Sequence, residues 1–313
     1  MRADRAFGLV LALALLSSAI LVALFVTLVG RAQHLAATGP SDLGDLVAVL
    51  VLGLAICGIG LGLATLARQL LATLALIRGL LRRRIPAPAR VASAARHLGL
   101  TGRVDVVADA RPFSFCYWFL RPRICVSTGL VDRLGRDELR AVLLHERYHL
   151  RHRDPLRLVI ARYFAAGLYV VPVVDELVRH FVLEKELEAD EDAVSELQGV
   201  GPLARALYKV LPEADDVALG LLLPVGSLSV TEARIDQLVH GRPLRPSISA
   251  GAVLLSLGAL TAAALLAVVQ LEALAGVDGA TGASAASAVG PAALLLAAAV
   301  SGGLHQLRLS SDR

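Results

Sequence analysis

The chain has 313 residues, of which 56% are hydrophobic and only 19% charged, with a formal net charge of +4. Ordinary soluble proteins are about a quarter charged, so this balance argues against a purely soluble enzyme and excludes a largely disordered chain. The small basic excess gives no argument for direct nucleic-acid binding, and three cysteines cannot form a disulfide framework.

In chain order, four stretches without Asp, Glu, Lys or Arg are candidates for membrane crossing, because a hydrocarbon core of about 30 Å needs roughly 20 helical residues. Spans are expected at about 7–29, 46–67, 248–271 and 290–307. The last is the weakest, since Gly279 to Gly290 is rich in Ala, Gly and Ser. The runs Tyr163 to Val174 and Val217 to Thr231 are too short to span and read as core or interfacial helix. Arginines cluster before the first span (Arg2, Arg5), after the second (Arg78, Arg82, Arg83, Arg84) and before the third (Arg234, Arg242, Arg245). The positive-inside rule then puts both termini and the long middle segment in the cytoplasm. The expected organisation is an N-terminal membrane hairpin (1–84), a cytosolic domain (85–246) and a C-terminal membrane hairpin (247–313).

Within the middle segment, two prolines in Ile85–Arg90 favour an extended lead-in. Helix is expected over Val91–His97, a turn over Gly99–Gly102, and strands over Val104–Ala108, Phe113–Phe119 and Arg123–Ser127. From Asp137 the pattern is helical. Gly135 can cap that helix, Asp137 and Glu138 suit its first turn, and Asp154-Pro155 ends it.

This helix carries His145-Glu146-Arg147-Tyr148-His149, an H-E-x-x-H pattern. At about 100° per residue the two histidines share one face, one turn apart, so both imidazoles can meet one zinc ion with Glu146 beside them. Such an ion activates a water and polarises a carbonyl, and the carboxylate takes the proton. His152 shares the face, but it lies about 10.5 Å along the axis from His145, too far for the same ion.

A third ligand is expected in Phe181–Val194. Val182, Ala189, Ala193 and Leu197 mark a buried stripe with Glu186 in its middle and Asp190 among its neighbours, whereas Glu184, Glu188 and Glu191 fall on the opposite, solvated face. A buried carboxylate is costly unless paired or bound to metal. Glu186 is therefore expected as ligand, and Asp190 as the group orienting a ligand histidine.

HERYH followed, after 36 intervening residues, by E-L-E-A-D resembles the gluzincin-type membrane peptidases, whose third ligand is the first Glu of E-x-x-x-D. Two groups share that layout: the BlaR/MecR antirepressor metallopeptidases and the HtpX and CAAX-prenyl-protease group. The stretches Arg111–Leu130 and Asp137–His145, with Arg153-Asp154, resemble the BlaR/MecR side. No penicillin-binding sensor domain accompanies them, and neither lysine (Lys185, Lys209) follows a serine at the Ser-x-x-Lys spacing. The resemblance implies a mainly α protein: multi-pass membrane helices with an inserted cytosolic α+β metallopeptidase domain carrying a small sheet. It also implies a Zn2+ cofactor, a protein or peptide substrate such as a transcriptional repressor, and a bacterial inner-membrane location in contact with the bilayer; a homodimer is compatible. By the same resemblance the strand with Phe115, Cys116 and Tyr117 borders the cleft, where an extended substrate can add as a strand.

Cys116 and Cys125 lack a partner pair at zinc-finger spacing and read as buried thiols. Two alternatives stand beside an antirepressor-like endopeptidase. One is an HtpX-like quality-control or processing peptidase. The other is a non-enzymatic signalling scaffold stabilised by zinc, which a three-ligand site with a free carboxylate at Glu146 disfavours.

Overall fold

Two long apolar helices lead the chain, α1 (Ala3–Thr38) and α2 (Leu43–Arg82). The computed structural model describes residues 2–38, 43–210, 227–241 and 247–274. Among these, Ala3–Val26 and Val49–Arg82 are long and apolar enough to cross a membrane. A later helix, α10 (Ala250–Leu274), coincides with the third expected span, but its apolar stretch Ala250–Leu266 is shorter. The expected span at 290–307 lies outside the described residues.

The chain divides into two compact units. One comprises 6–66, 161–178 and 247–313. In it Phe164, Leu168, Val171 and Val174 pack with Leu13, Ala14 and Leu260, so the short apolar run at 163–174 belongs with the long apolar helices. Gly58 permits a close approach there: a Cβ at that position would lie 2.6 Å from the Gly167 carbonyl oxygen.

The other unit comprises 1–5, 67–160 and 179–246, so it includes the end of α2 and omits 161–178. It holds β1 (Arg84–Ile85), α3 (Ala89–His97), β2 (Val104–Val107), β3 (Ser114–Tyr117), β4 (Arg123–Ser127), α4 (Thr128–Arg133) and α5 (Arg136–His152). α6 (Asp154–Gly167) and α7 (Pro172–Leu197) follow, then α8 (Gly201–Val210) and α9 (Ser227–His240). The strand β1, which overlaps the expected extended lead-in only at Ile85, has no side-chain alternation to announce it; it forms because Arg84 and Ile85 pair antiparallel with Val107 and Val106.

The sheet order is β1-β2-β4-β3, with β2 and β4 parallel and β3 antiparallel to β4, so β3 is an edge. Period-two alternation sorts its side chains. Val106, Ile124 and Val126 face a core with Leu139, Leu143 and Leu144 of α5. Val107, Tyr117 and Cys125 pack on the other face against Ile77 of α2. α5 starts as its sequence implies: the Gly135 amide donates to Glu138 Oε2 at 2.7 Å, and Lys209 of α8 donates to the same oxygen at 2.7 Å. It ends at Arg153, whose left-handed φ of 53° turns the chain into α6.

α7 departs from the single-stripe reading. Glu184, expected in solvent, is buried, and Glu188 is half-buried, where its carboxylate accepts from the Tyr148 hydroxyl at 2.5 Å and the Ala3 amide at 3.0 Å. Periodicity assumes one covered face. Here Leu183 and Leu187 pack with Ala233 of α9 while another side meets α5 and the N-terminus, so only Glu191 keeps the exposed position expected of all three.

Candidate metal centre

α5 and α7 bring three donors together. His145, His149 and Glu186 each offer an atom within 4.8 Å of the others, an arrangement able to hold a metal ion. The Nε2 atoms of the two histidines are 3.0 Å apart, and the Glu186 oxygens lie 3.4 Å from His145 Nε2 and 3.6 Å from His149 Nε2. The outward ring nitrogens are taken by carboxylates: His145 Nδ1 is 2.8 Å from Asp190 Oδ1, and His149 Nδ1 is 2.7 Å from Asp154 Oδ2. Asp154 is hydrogen-bonded to His149 Nδ1 and Asp190 lies at ion-pair distance from His145 Nδ1, so the Nε2 atoms are the ring nitrogens that face the Glu186 carboxylate. Two imidazole nitrogens and a carboxylate at this spacing form a donor set that fits a divalent metal.

The surrounding charges keep the acids ionised. Burial works against charge on Glu186, but His149, Lys185, His145 and Arg234 together hold its carboxyl well below the usual range. Burial likewise opposes charge on Asp190, and Arg234 with His145 outweighs it. Arg234 donates through Nε to Asp190 Oδ2 at 2.7 Å and through Nη2 to Oδ1 at 2.8 Å, with Nη1 3.5 Å from Glu186 Oε2.

Glu146 sits beside this group on α5 and is held from the sheet. The Ser114 hydroxyl donates to its Oε1 at 2.8 Å, and the Cys116 thiol donates to its backbone carbonyl at 3.1 Å. Burial pushes the Cys116 thiol well above its usual value, so it is a packing and hydrogen-bonding group. The Phe115 and Tyr117 side chains of the same strand turn to the opposite face, where the Tyr117 hydroxyl donates to Asp105 at 2.5 Å. Toward α5 the strand thus offers Ser114, Cys116 and backbone. His152 stays outside the group, with Nδ1 2.9 Å from the Tyr148 carbonyl oxygen.

Sequence reasoning picked out Asp154 as a helix stop and as part of the family resemblance, with no role at the metal, and Arg234 only as a topology signal. Asp154 lies five residues past His149, a spacing that signals it once the helix is known to end between them. Arg234 is 44 residues from Asp190, and no local pattern links them.

A model of peptidase family M48 matches residues 83–244, more than half of the chain. The chain belongs to peptidase family M48. Family membership fits the His145, His149 and Glu186 group, which could hold a metal ion. Among curated proteins, a protease HtpX homolog from Caldanaerobacter subterraneus subsp. tengcongensis is 42% identical over 48 residues, which is 15% of this chain and 16% of that relative. The chain therefore aligns with only a small part of that relative's length. No solved structure matches this M48 peptidase.

Proposed function

We propose that this M48 peptidase is a multi-pass inner-membrane zinc endopeptidase with a cytoplasmic active site, holding Zn2+ through His145, His149 and Glu186. The carrying observation is the convergence of both Nε2 atoms and the Glu186 carboxylate, each ring backed by its own aspartate. When bound, the metal supplies Lewis-acid polarisation of the scissile carbonyl and a readily deprotonated water. Glu146 is the general base: its carboxylate takes the proton from the attacking water and returns it to the leaving amine, so no net proton is consumed by the side chain. Ser114 holds Oε1 of that carboxylate, which leaves Oε2 for the proton. The open edge of β3 supports substrate binding by strand addition, with the backbone of Phe115, Cys116 and Tyr117 supplying the pairing groups.

The family assignment and the HtpX homolog favour membrane-protein quality control or processing as the role. Cleavage of a cytosolic repressor is the second reading, supported by the resemblance of Arg111–Leu130 to the antirepressor peptidases. The mechanism is tested with Glu146→Gln, expected to retain bound zinc while peptide hydrolysis drops at least ~100-fold. Unchanged cleavage by that variant would overturn the assignment. Comparing cellular protein termini between the wild-type and Glu146→Gln strains separates the roles: many altered membrane proteins mark quality control, and one altered regulator marks antirepressor cleavage.

A further inference from the structure

On the opposite side of α5 from the metal ligands lies a cleft of about 1370 Å³. At about 100° per residue, Arg147, Leu150 and Arg151 point roughly away from His145 and His149, so this cleft is separate from the metal centre. Its walls are the Gly99–Arg103 turn, the β3–β4 connection and this outer face of α5. Six arginines and no acidic residue line it. Two of the six have structural work: Arg147 pairs with Glu196, and Arg123 binds Asp105 through two nitrogens. The other four, Arg103, Arg121, Arg151 and Arg153, are exposed and pair with no carboxylate among the described residues.

The β3–β4 connection adds an apolar tip to this basic floor. Trp118 is 37% exposed and Leu120 74% exposed, with Trp118 at φ 66°, a left-handed conformation uncommon for a bulky residue. A loop that displays Trp and Leu beside unpaired arginines has the composition of the bilayer interface, where indole rings sit at headgroup depth and guanidinium groups meet lipid phosphates. The chain also carries two helices long and apolar enough to cross a membrane.

We propose that this cleft binds the headgroups of anionic phospholipid, with Trp118 and Leu120 inserted at the interface. The complementary charge and the exposed apolar tip together select a bilayer surface over an acidic protein segment, which would pair with the arginines but gain nothing from Leu120. Because the surface is separate from the metal centre, the proposal does not depend on the peptidase mechanism.

Trp118 is the only tryptophan in the chain, so its emission reports on the tip directly. The full-length protein is reconstituted in nanodiscs of phosphatidylcholine alone or mixed equally with phosphatidylglycerol. Emission should shift to the blue in the anionic discs, be quenched by brominated phosphatidylglycerol, and revert at 1 M salt, where the screening length falls to about 3 Å. The combined variant Arg103→Gln, Arg121→Gln, Arg151→Gln should lose the shift while keeping its bound zinc and its thermal midpoint. Identical emission in the two discs, or a shift that survives in the triple variant, would overturn the proposal. So would a shift produced by a polyglutamate peptide in neutral discs and absent with phosphatidylglycerol.

Discussion

Asp154 is 2.7 Å from His149 Nδ1 and Asp190 is 2.8 Å from His145 Nδ1, and in the proposed metal site these carboxylates would orient the two rings. Replacing Asp154 with Ala leaves the His149 ring free to turn or to carry its proton on Nε2. Metal affinity should then fall about 10- to 100-fold, measured by competition with a chromogenic chelator. An affinity equal to wild type would show that His149 is not oriented by this contact. On the sheet face away from α5, Asp105 is buried and binds Arg123, Arg84 and the Tyr117 hydroxyl. Burial alone would raise its carboxyl, but Arg123, Tyr117 and Arg84 hold it below the usual range. With a depressed folded value, its stabilisation is present above the unfolded pKa of about 3.9 and is lost as pH falls through the folded value. Asp105→Asn should therefore cost about 1.5–3 kcal/mol at neutral pH, read as a lower thermal midpoint. The gap to wild type should close as both are acidified below about pH 3.9.

At the scale of elements, the sheet and α5 are joined through a tight corner. β4 runs directly into α4, where Ser127 Oγ accepts from the Leu130 and Phe113 amides at 3.1 and 3.0 Å. Gly129 packs there against the chain at 109–111, its amide donating to the Asp109 carbonyl at 2.9 Å. A Cβ at 129 would lie 2.0 Å from the Ala110 carbonyl oxygen, a backbone atom that cannot swing aside as a side chain can. Gly129→Ala should destabilise the domain by about 1–3 kcal/mol or more, seen as a lower thermal midpoint and faster proteolysis. A variant as stable as wild type would mean that the 109–111 segment yields freely.

For the molecule as a whole, a metal held by His145, His149 and Glu186 as proposed would link α5 and α7 across chain separations that no local contact bridges. Binding confined to the folded state adds stability as RT ln(1 + [M]/Kd), about 2.7 kcal/mol when free metal is 100-fold above Kd. Chelation should lower the thermal midpoint of the wild type and readdition of zinc should restore it. A variant with His145, His149 and Glu186 all replaced by Ala should show no response, and a metal-dependent midpoint in that variant would place the ion elsewhere.

Much of this was legible in one dimension because the chemistry is local. His145, Glu146 and His149 fall on one helical turn, and the strands β2, β3 and β4 lie where alternation and punctuation put them. Glu186 and Asp190 stand out in sequence because they break the phase of an apolar stripe. Folding decided what depends on a second or third neighbour. The burial of Glu184 and Glu188 follows from α7 being covered on more than one side, which periodicity cannot register. Arg234 reaches Asp190 only because α9 packs on α7. The arginine cleft is assembled from a turn, a strand connection and the outer face of α5, three places whose charges are unremarkable until the chain brings them together. Helical and strand periodicity encode what lies within a turn or two, whereas the pairing of distant charges is set by packing, and only the tertiary fold settles it.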